Sequence, residues 1–420
     1  MSNSNPSETF PIAYLSSQLP CATETFVYRE VLALRERGWP VHAASLHEPA
    51  AMKEPPLADL ARSATVVYGP GFGVTISSAL GELVRHPLRS SATLIRSIGD
   101  ARSPGEPTSS AIRVKLPAQA LAGIGLAGKL RSKSIRHLHC HFAHAPTSVG
   151  MYAAMQLGIP LSFTGHANDL FQRRSLLSRK LRRAAFVACI SRWHEQFYRD
   201  VAPGATPNYQ VIRCGVDVDG WKPRDHEASA MDRPFRLLVV CRLISKKGVD
   251  TLVRALAETT QCELTVAGDG PDAPMLKSLA AELKCESRIK WLGMVANDAV
   301  RTLLGEADAF VLPCRNDAAG DRDGIPVALM EAMSCGIPVI SGDLPAIREL
   351  IEPGVDGLLI PAADEATRVT QLAACIAKLA TDAPERHRLA TAGRERVLAE
   401  FSLTPNIQRI EAAICAASSK

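Results

Sequence analysis

Short apolar runs typical of β-strands alternate with segments of helical spacing along most of this 420-residue chain. The run at 10–15 precedes a helical segment at 26–37, and Gly38 closes that segment before the next run at 41–46. Further strands are predicted at 135–139, 161–164 and 186–190. Strands that alternate with helices predict an α/β fold with a parallel, doubly wound sheet.

The alternation stops at 215–233, a polar stretch with the composition of a linker, and then restarts. The second series of predicted strands lies at 236–240, 263–267, 289–292, 309–312, 338–340 and 357–360. We therefore expect two Rossmann-like domains, 1–215 and 216–400, that face each other across a cleft. A final helix within 401–420 is expected to pack back on the first domain. The intervening region 69–134 has few clear periods, and we expect partly helical insertions there.

Charge and cysteine usage exclude several classes of protein. The 48 basic and 43 acidic residues leave a net charge of +5, which is too small to indicate nucleic-acid binding. The 11 cysteines are scattered and form no C-x-x-C pair, so the chain is expected in a reducing compartment. No secretion signal is evident, and no stretch reaches the roughly 18 apolar residues of a membrane span. We expect a cytoplasmic protein, which could lie on the inner face of the membrane.

The segment 323–338 is the most informative short motif. It places Asp323 in a loop, Pro326 at an expected first helical position and Glu331 further along the helix. A helix N-terminus suits a phosphate, and ionised carboxylates accept hydrogen bonds from sugar hydroxyls. The segment therefore indicates a site for a sugar joined to a phosphate. The alternative is an ordinary helix–strand junction whose apolar residues only face the sheet.

Two other loops follow predicted strands of the second half. In the loop after 236–240, Arg242 and Lys247 are spaced so that one turn brings both cations to one anion. Lys246, in contrast, is interpreted as a solvated surface residue. The loop after 263–267 contains Gly268, Asp269 and Gly270, for which a plain tight turn is the simpler interpretation.

Taken together, these loops resemble the nucleotide-sugar domain of the retaining glycosyltransferases of family four, which have the two-domain GT-B fold. The family signature is an acid, seven residues, a glutamate and then Ala-Met-Ala-x-Gly-x-Pro-Val, which Asp323, Glu331 and 332–339 match. Arg242 and Lys247 match the family's Gly-Arg-Leu-x-x-x-Lys-Gly motif, with Cys241 at the usual glycine. The segment 22–27 resembles Ser-Glu-Thr-Phe-Ile of members that assemble bacterial exopolysaccharide or lipopolysaccharide.

The resemblance implies a role for each matched residue. Arg242 and Lys247 would neutralise the donor diphosphate, and Glu331 would accept hydrogen bonds from the ribose. Asp323 would contact the donor sugar, although the family usually has a glutamate there. The remaining donor-binding residues implied are Gly268, Asp269, Gly270, Gly324, Ile325, Pro326 and Val327, with 293–295 beside the base.

Histidines of the first half complete the candidate site. His166 lies in a segment, 162–169, that resembles the family's Thr-x-His-Gly-x-Asp loop, so it would contact the transferred sugar. His139 and His141 share one face of a strand and could suggest a metal, but no third ligand is evident, so structural or acceptor-side roles are favoured. The Asp-x-Asp at 321–323 is interpreted as accidental. We therefore expect neither metal nor cofactor.

The expected reaction is transfer of a hexose, with retention, from a nucleotide diphosphate sugar to a hydroxyl of a lipid-linked glycan acceptor in cell-surface polysaccharide synthesis. Two alternatives remain open: a non-catalytic carbohydrate-binding scaffold and a nucleotide-sugar epimerase. A basic run can either lie on an anionic membrane or form a solvated helix face. Its members are Arg173, Arg174, Arg179, Lys180, Arg182 and Arg183.

Overall fold

The computed structural model describes residues 9–52, 54–69, 72–102, 110–171, 174–223 and 233–419. Arg173 and residues 224–232 of the linker predicted at 215–233 lie outside these ranges. The chain divides into two compact units. The first consists of Met1–Arg213 together with Thr404–Lys420, and the second is Cys214–Leu403.

The first unit is built on a seven-stranded parallel sheet of order β3-β2-β1-β4-β5-β6-β7. Its strands are β1 (Ile12–Ser16), β2 (Val41–Ser45), β3 (Thr65–Val66), β4 (His137–His141), β5 (Leu161–Gly165), β6 (Phe186–Cys189) and β7 (Asn208–Val211). The chain therefore moves outward from β1 in both directions. The order reverses between β1 and β4, where open sheets of this type bind ligands.

Ten helices of the described ranges belong to the first unit, wholly or for most of their length. They are α1 (Thr25–Glu36), α2 (Pro55–Ser63), α3 (Phe72–Arg85), α4 (Pro87–Ala101), α5 (Ser110–Leu130), α6 (Ala145–Leu157), α7 (Asn168–Phe171), α8 (Leu177–Arg183), α9 (Arg192–Val201) and the last helix of the chain, Leu403–Ser418. The uncertain region 69–134 is thus mainly helical where it is described. No helix in the described ranges is long and apolar enough to cross a membrane.

The second unit has a six-stranded parallel sheet of order β10-β9-β8-β11-β12-β13. Its strands are β8 (Phe235–Val240), β9 (Cys262–Ala267), β10 (Ile289–Gly293), β11 (Ala309–Leu312), β12 (Val339–Gly342) and β13 (Leu358–Ile360). Its helices are α10 (Val249–Glu258), α11 (Ala273–Glu282), α12 (Asn297–Glu306), α13 (Val327–Ser334), α14 (Glu365–Thr381) and α15 (Ala383–Arg396); the last helix of the chain is α16. The prediction of two doubly wound parallel sheets is confirmed.

Each sheet is buried on both faces, as expected for parallel strands covered by helices. In β1, Ile12, Ala13, Tyr14 and Leu15 have no exposed surface. In β11, all four residues are likewise fully buried. The strands therefore provide a rigid frame, and the loops at their carboxyl ends carry the polar residues of the candidate site.

Candidate functional site

Two loops meet at the point where the strand order of the second sheet reverses. One loop follows β8 and the other follows the adjacent strand β11. The Lys247 Nζ of the first lies 2.9 Å from Oδ2 of Asp323 in the second. Gly248 has φ +67°, and a Cβ there would collide with the carbonyl oxygen of Pro313. Glycine thus permits the close approach that holds the ion pair together.

Lys246 is also part of this cluster, so its interpretation as a solvated residue was wrong. Its Nζ lies 3.0 Å from Asp321 Oδ2 and 3.5 Å from Asp323 Oδ1, and the side chain is buried. The loop after β11 folds over the lysine and supplies both carboxylates. An ammonium group therefore lies between the two acids of the Asp-x-Asp sequence.

The charges of this cluster stabilise one another. Burial would raise the pKa of Asp323, but the ammonium groups of Lys247 and Lys246 outweigh it and hold the pKa below its usual value. Burial would lower the pKa of Lys247, yet the Asp323 charge raises it above the usual value. The Cys314 thiol also donates to Asp323 Oδ2 at 3.2 Å. Asp323 and Lys247 are therefore both ionised at neutral pH.

Arg242 occupies the same loop but not the same cluster. Its side chain is exposed and forms no ion pair with any residue of the described ranges. The neighbouring Leu243 N–H donates to the Asp269 carbonyl at 3.0 Å, which fixes the backbone beside it. The structure therefore leaves the guanidinium of Arg242 available to an anion, whereas Lys247 already has a carboxylate partner.

The glycine loop after β9 is tied to both of its neighbours. Gly268 has φ +141°, and a Cβ there would collide with the Cys241 carbonyl. The Gly268 N–H donates to the Gly293 carbonyl at 2.8 Å, which joins the loops after β9 and β10. The Gly270 N–H donates to Oδ1 of the exposed Asp269 at 2.7 Å. The turn itself begins at Gly270, whose carbonyl accepts from the Ala273 N–H at 3.1 Å, so the predicted tight turn lies at 270–273, after Gly268 and Asp269.

Helix α13 begins one residue later than predicted. Pro326 has ψ 126° and is the N-cap with extended backbone, so Val327 is the first helical residue. Gly324 and Pro326 are buried, and Ile325 and Val327 are half-buried. Glu331 lies in the second turn with 7% of its surface exposed. The helix that follows the Asp323 loop thus carries a buried carboxylate one turn after its start.

Two arginines that sequence reasoning missed support the loop after β11. Arg315 pairs with Asp250 at 2.8 Å and with Glu365 at 3.0 Å. The Arg368 guanidinium donates to the Pro313 carbonyl at 2.8 Å. Their partners come from two helices, α10 and α14, and from a loop, so no local spacing in the sequence could have revealed them.

In the first unit, His166 is held by the carboxylate of Asp169. That carboxylate accepts hydrogen bonds from the backbone N–H groups of Ala143 at 2.7 Å, Ala167 at 2.8 Å and His166 at 3.1 Å. The His166 ring lies 4.4 Å, centroid to centroid, from Phe26. Burial lowers the pKa of His166 well below its usual value, so the ring is neutral at physiological pH.

The third potential ligand beside the strand histidines is Glu30, which the sequence did not reveal. The ligand atoms of Glu30, His139 and His141 lie within 4.8 Å of one another, a spacing that could hold a metal ion. However, the two ring nitrogens of His139 are hydrogen-bonded to Ser162 at 2.7 Å and Thr164 at 3.0 Å. This bonding supports the structural role that was favoured for His139.

His141 connects Glu30 to His166. Its Nε2 lies 3.4 Å from Glu30 Oε1, and its Nδ1 lies 3.1 Å from His166 Nε2. Tyr14 donates to the same Glu30 oxygen at 2.8 Å. The contact between the two rings needs a proton on one of its two nitrogens, so the tautomers of His141 and His166 are coupled.

Glu24 is a second acid near the reversal of the first sheet, in the loop between β1 and α1. It is the N-cap of α1, but its carboxylate caps no backbone N–H, and its buried Oε2 has no hydrogen-bond partner in the described ranges. Burial, followed by the charge of Asp169, raises the pKa of Glu24 to about 7. A buried carboxylate with such a perturbed pKa is typical of functional sites.

The basic run of α8 is not a solvated helix face. The buried Lys180 ammonium donates to the carbonyls of Ala143, His144 and Ser175 at 2.6, 2.8 and 2.7 Å. Arg183 forms a two-fold ion pair with the buried Asp100 at 2.8 and 2.9 Å. Half-buried Arg174 and exposed Arg182 remain on the surface, while Arg179 lies 3.8 Å from Asp100.

Comparison with known proteins finds a family match in the second unit. Residues 222–396 match the sequence profile of the family described as glycosyl transferases group 1. The amylovoran biosynthesis glycosyltransferase AmsK of Erwinia amylovora is 36% identical over 198 residues, which cover 46% of this chain and 47% of AmsK. The chain thus spans about half the length of the curated relatives it matches.

Solved structures match almost the whole chain and define its fold as GT-B. Sucrose-phosphate synthase of Thermosynechococcus elongatus has a TM-score of 0.72 and 18% identity, covering 96% of this chain and 98% of the other. Anabaena HepE in complex with UDP-glucose has a TM-score of 0.69 and 17% identity, covering 97% and 99%.

Proposed function

We propose that this chain is a retaining hexosyltransferase, because residues 222–396 match the family model of the glycosyl transferases group 1. It moves a hexose from a nucleotide diphosphate sugar to a hydroxyl of a glycan acceptor. The product belongs to cell-surface polysaccharide synthesis, in keeping with AmsK, which is named for amylovoran biosynthesis.

The observation that carries this proposal is the Lys247–Asp323 pair at the reversal of the second sheet. A fixed cation at this position suits the departing diphosphate, whose negative charge grows as the glycosidic bond breaks. The exposed guanidinium of Arg242 adds a second positive group on the same loop. These groups do the electrostatic work for which other transferases use a divalent cation, so the proposed reaction needs no metal.

The other donor contacts follow from helix α13. The Leu329 N–H donates to the Pro326 carbonyl at 3.1 Å, and the N–H groups that precede it in the first turn can bind phosphate oxygens. The Glu331 carboxylate would accept hydrogen bonds from ribose hydroxyls. Both Asp323 oxygens lie near a lysine, and Oδ1, at 3.5 Å from Lys246, would also accept a hydrogen bond from the donor sugar. The backbone of 268–270 and 293–295 would lie beside the base. HepE, whose structure contains UDP-glucose, supports a nucleotide sugar as donor.

The proposed reaction balances without a protein nucleophile. The acceptor oxygen forms a bond to the anomeric carbon while the bond from that carbon to the diphosphate oxygen breaks. The electron pair leaves with the diphosphate, and the acceptor proton passes to a diphosphate oxygen on the same face, which retains the configuration. His166, neutral and held by Asp169, positions the transferred sugar through a hydrogen bond.

We further propose a lipid-linked glycan as the acceptor and the inner face of the cytoplasmic membrane as the location. The basic run predicted to bind there is a poor docking surface, since Lys180 and Arg183 are bonded inside the first unit. Membrane contact must therefore use other residues.

A donor panel tests the function directly. The purified full chain is incubated with UDP-, GDP- and ADP-linked hexoses and a polyprenyl-linked acceptor, and products are identified by mass spectrometry. A glycoside supports the proposal, an epimerised donor supports the epimerase alternative, and saturable binding without turnover supports the scaffold alternative.

Arg242→Gln sharpens this test because the side chain is exposed and its loss should not disturb folding. Turnover should fall about a hundredfold or more if the guanidinium stabilises the leaving diphosphate. Arg254→Gln, an exposed arginine on α10, is the matched control and should keep full activity. Near-normal turnover of the Arg242 variant would refute its assignment.

A further inference from the structure

Exposed apolar side chains are concentrated on three helices of the first unit. Of the thirteen large hydrophobic residues that are exposed within the described ranges, nine lie on α3, α4 and α5. They are Val74, Ile76, Leu80, Val84, Leu88, Ile95, Ile98, Val114 and Leu121. We call these nine residues the apolar face. Soluble proteins scatter such residues singly, so a cluster of this kind marks an interaction surface.

The exposure is extreme at the junction of α3 and α4. Val84 is 81% and Leu88 86% exposed, and Val114 on α5 is 80% exposed. Leu88 and Ile95 are seven residues apart and therefore lie on the same side of α4. The core-facing side of α4 carries Ser90, Thr93 and Ser97 instead, which are buried. The helix is thus amphipathic with its larger apolar residues turned outward.

The charges that accompany the apolar face are all positive. The acidic residues of α3, α4 and α5 are Glu82 and Asp100, and both are buried in ion pairs, with Arg131 at 2.6 Å and Arg183 at 2.8 Å. The exposed charged residues of the same helices are Arg85, Arg89, Arg96 and Lys115. No acid of these helices therefore offsets the exposed cations.

We propose that the apolar face docks on an anionic lipid bilayer. Apolar side chains that insert at the headgroup boundary, flanked by arginines that meet lipid phosphates, form the usual chemistry of interfacial helices. A second copy of the chain is a poorer occupant, because a two-fold contact would place the same arginines opposite each other. Charge complementarity thus selects the bilayer.

This inference deepens the proposed function, since a lipid-linked acceptor would be presented at the same surface. The docking itself uses none of the residues assigned to donor binding. The docking proposal and the proposed function can therefore fail separately, because vesicle binding tests the first and sugar transfer tests the second.

Vesicle co-sedimentation of the full chain tests the docking. Binding is measured on phosphatidylcholine vesicles with and without phosphatidylglycerol, at increasing salt. The chain should bind the phosphatidylglycerol vesicles, and the binding should weaken as salt rises. The double variant Leu88→Glu/Ile95→Glu should bind about tenfold more weakly or worse, because it places two anions in the apolar face.

The matched control is Met275→Glu/Val355→Glu, which changes two exposed apolar residues of the second unit and should bind as the unmodified chain does. A second variant, Arg85→Glu/Arg96→Glu, keeps the apolar residues and should lose the preference for phosphatidylglycerol. Arg174→Glu/Arg182→Glu, in the basic run of α8, should change binding by less than about twofold. Circular dichroism melting verifies that each variant is folded.

Three results would overturn the proposal: no binding of the unmodified chain, full binding by the Leu88/Ile95 variant, or equal loss in the control. Sedimentation equilibrium tests the alternative occupant, a second copy of the chain. If the unmodified chain is a dimer and the Leu88/Ile95 variant is a monomer, the apolar face binds a second copy. Donor hydrolysis without vesicles should be unchanged in the docking variants. A chain that binds vesicles yet transfers no sugar would contradict the proposed function alone.

Discussion

The Lys247 ammonium nitrogen lies 2.9 Å from an Asp323 carboxylate oxygen and joins the loops after β8 and β11. Only 15% of the lysine and 11% of the aspartate side chain are exposed. The two loops follow adjacent strands where the strand order of the sheet reverses, so the pair lies at the position where ligands of this fold bind. The pair therefore fixes the position of the Lys247 ammonium group.

Removing one member of this pair should destabilise the second unit strongly. Asp323→Asn leaves two buried ammonium groups with less compensation, and Lys247→Met leaves a buried carboxylate with one lysine, so each should lower the free energy of unfolding by about 3 kcal/mol. The double variant should lose at least about 1 kcal/mol less than the sum, because the paired charges disappear together. Urea unfolding of the four proteins gives the coupling. The exposed pair Arg301–Asp298 is the control, and its coupling should be much smaller.

Glu331→Gln should reduce turnover without unfolding the chain. The amide keeps the volume of the buried side chain but donates where the carboxylate accepts, so ribose hydroxyls lose part of their hydrogen bonding. We expect donor affinity to fall about tenfold or more. Isothermal titration with the donor that the panel identifies measures this loss. Glu306→Gln, an exposed acid on α12, should bind donor normally; equal affinity of the two variants would remove Glu331 from the site.

Lys180 and Arg182 are two residues apart, and the structure predicts that the same substitution destabilises the chain strongly at Lys180 and hardly at all at Arg182. Lys180→Met leaves three buried carbonyl oxygens without their donor and should lower the free energy of unfolding by about 3 kcal/mol or more. Arg182→Met removes an exposed side chain and should change it by about 0.5 kcal/mol or less. Thermal melting distinguishes them. If Lys180→Met lowered the free energy of unfolding as little as Arg182→Met does, the basic run would be a surface face after all.

Most strands were predictable because short apolar runs, bounded by glycine or proline, mark them locally, but β3 (Thr65–Val66) and β7 (Asn208–Val211) were not predicted. The end of β8 and the loop at Arg242 follow from such a run, and so does the helix that carries Glu331. Even there the start of α13 was placed one residue early, because Pro326 has a fixed φ that suits both the N-cap and the first turn.

Contacts between distant loops could not be predicted. Lys246 differs from Lys247 by one position, and only the fold of 317–323 shows that it is buried between Asp321 and Asp323. Glu30 reaches His141 from a helix more than a hundred residues away along the chain. Lys180 belongs to a charge run that, by composition, indicates a surface, yet its carbonyl partners come from the loop after β4 as well as its own. Composition reports such charges but not their neighbours.

Glu24 should make the stability of the chain depend on pH in an unusual direction. Its folded pKa is about 7 against 4.5 for the ordinary group, because burial and then the Asp169 charge oppose ionisation. Between these two values the unfolded chain has lost the proton that the folded chain retains, so the free energy of unfolding falls as pH rises through this window. The loss from this residue is complete above the folded pKa and amounts to about 3 kcal/mol at most.

Glu24→Gln isolates this effect, since glutamine does not ionise. The variant and the unmodified chain should be similar in stability at pH values below the ordinary glutamate pKa, and the variant should be the more stable at pH 8 by up to about 3 kcal/mol. Urea unfolding across the pH range gives the difference curve, in which the other titrating groups cancel. Glu36→Gln, exposed at the end of the same helix, should give a flat curve. A flat curve for Glu24→Gln as well would mean that another group stabilises the ionised carboxylate in the folded chain. The Oε2 oxygen would then already have a hydrogen-bond partner and would not be available to a ligand.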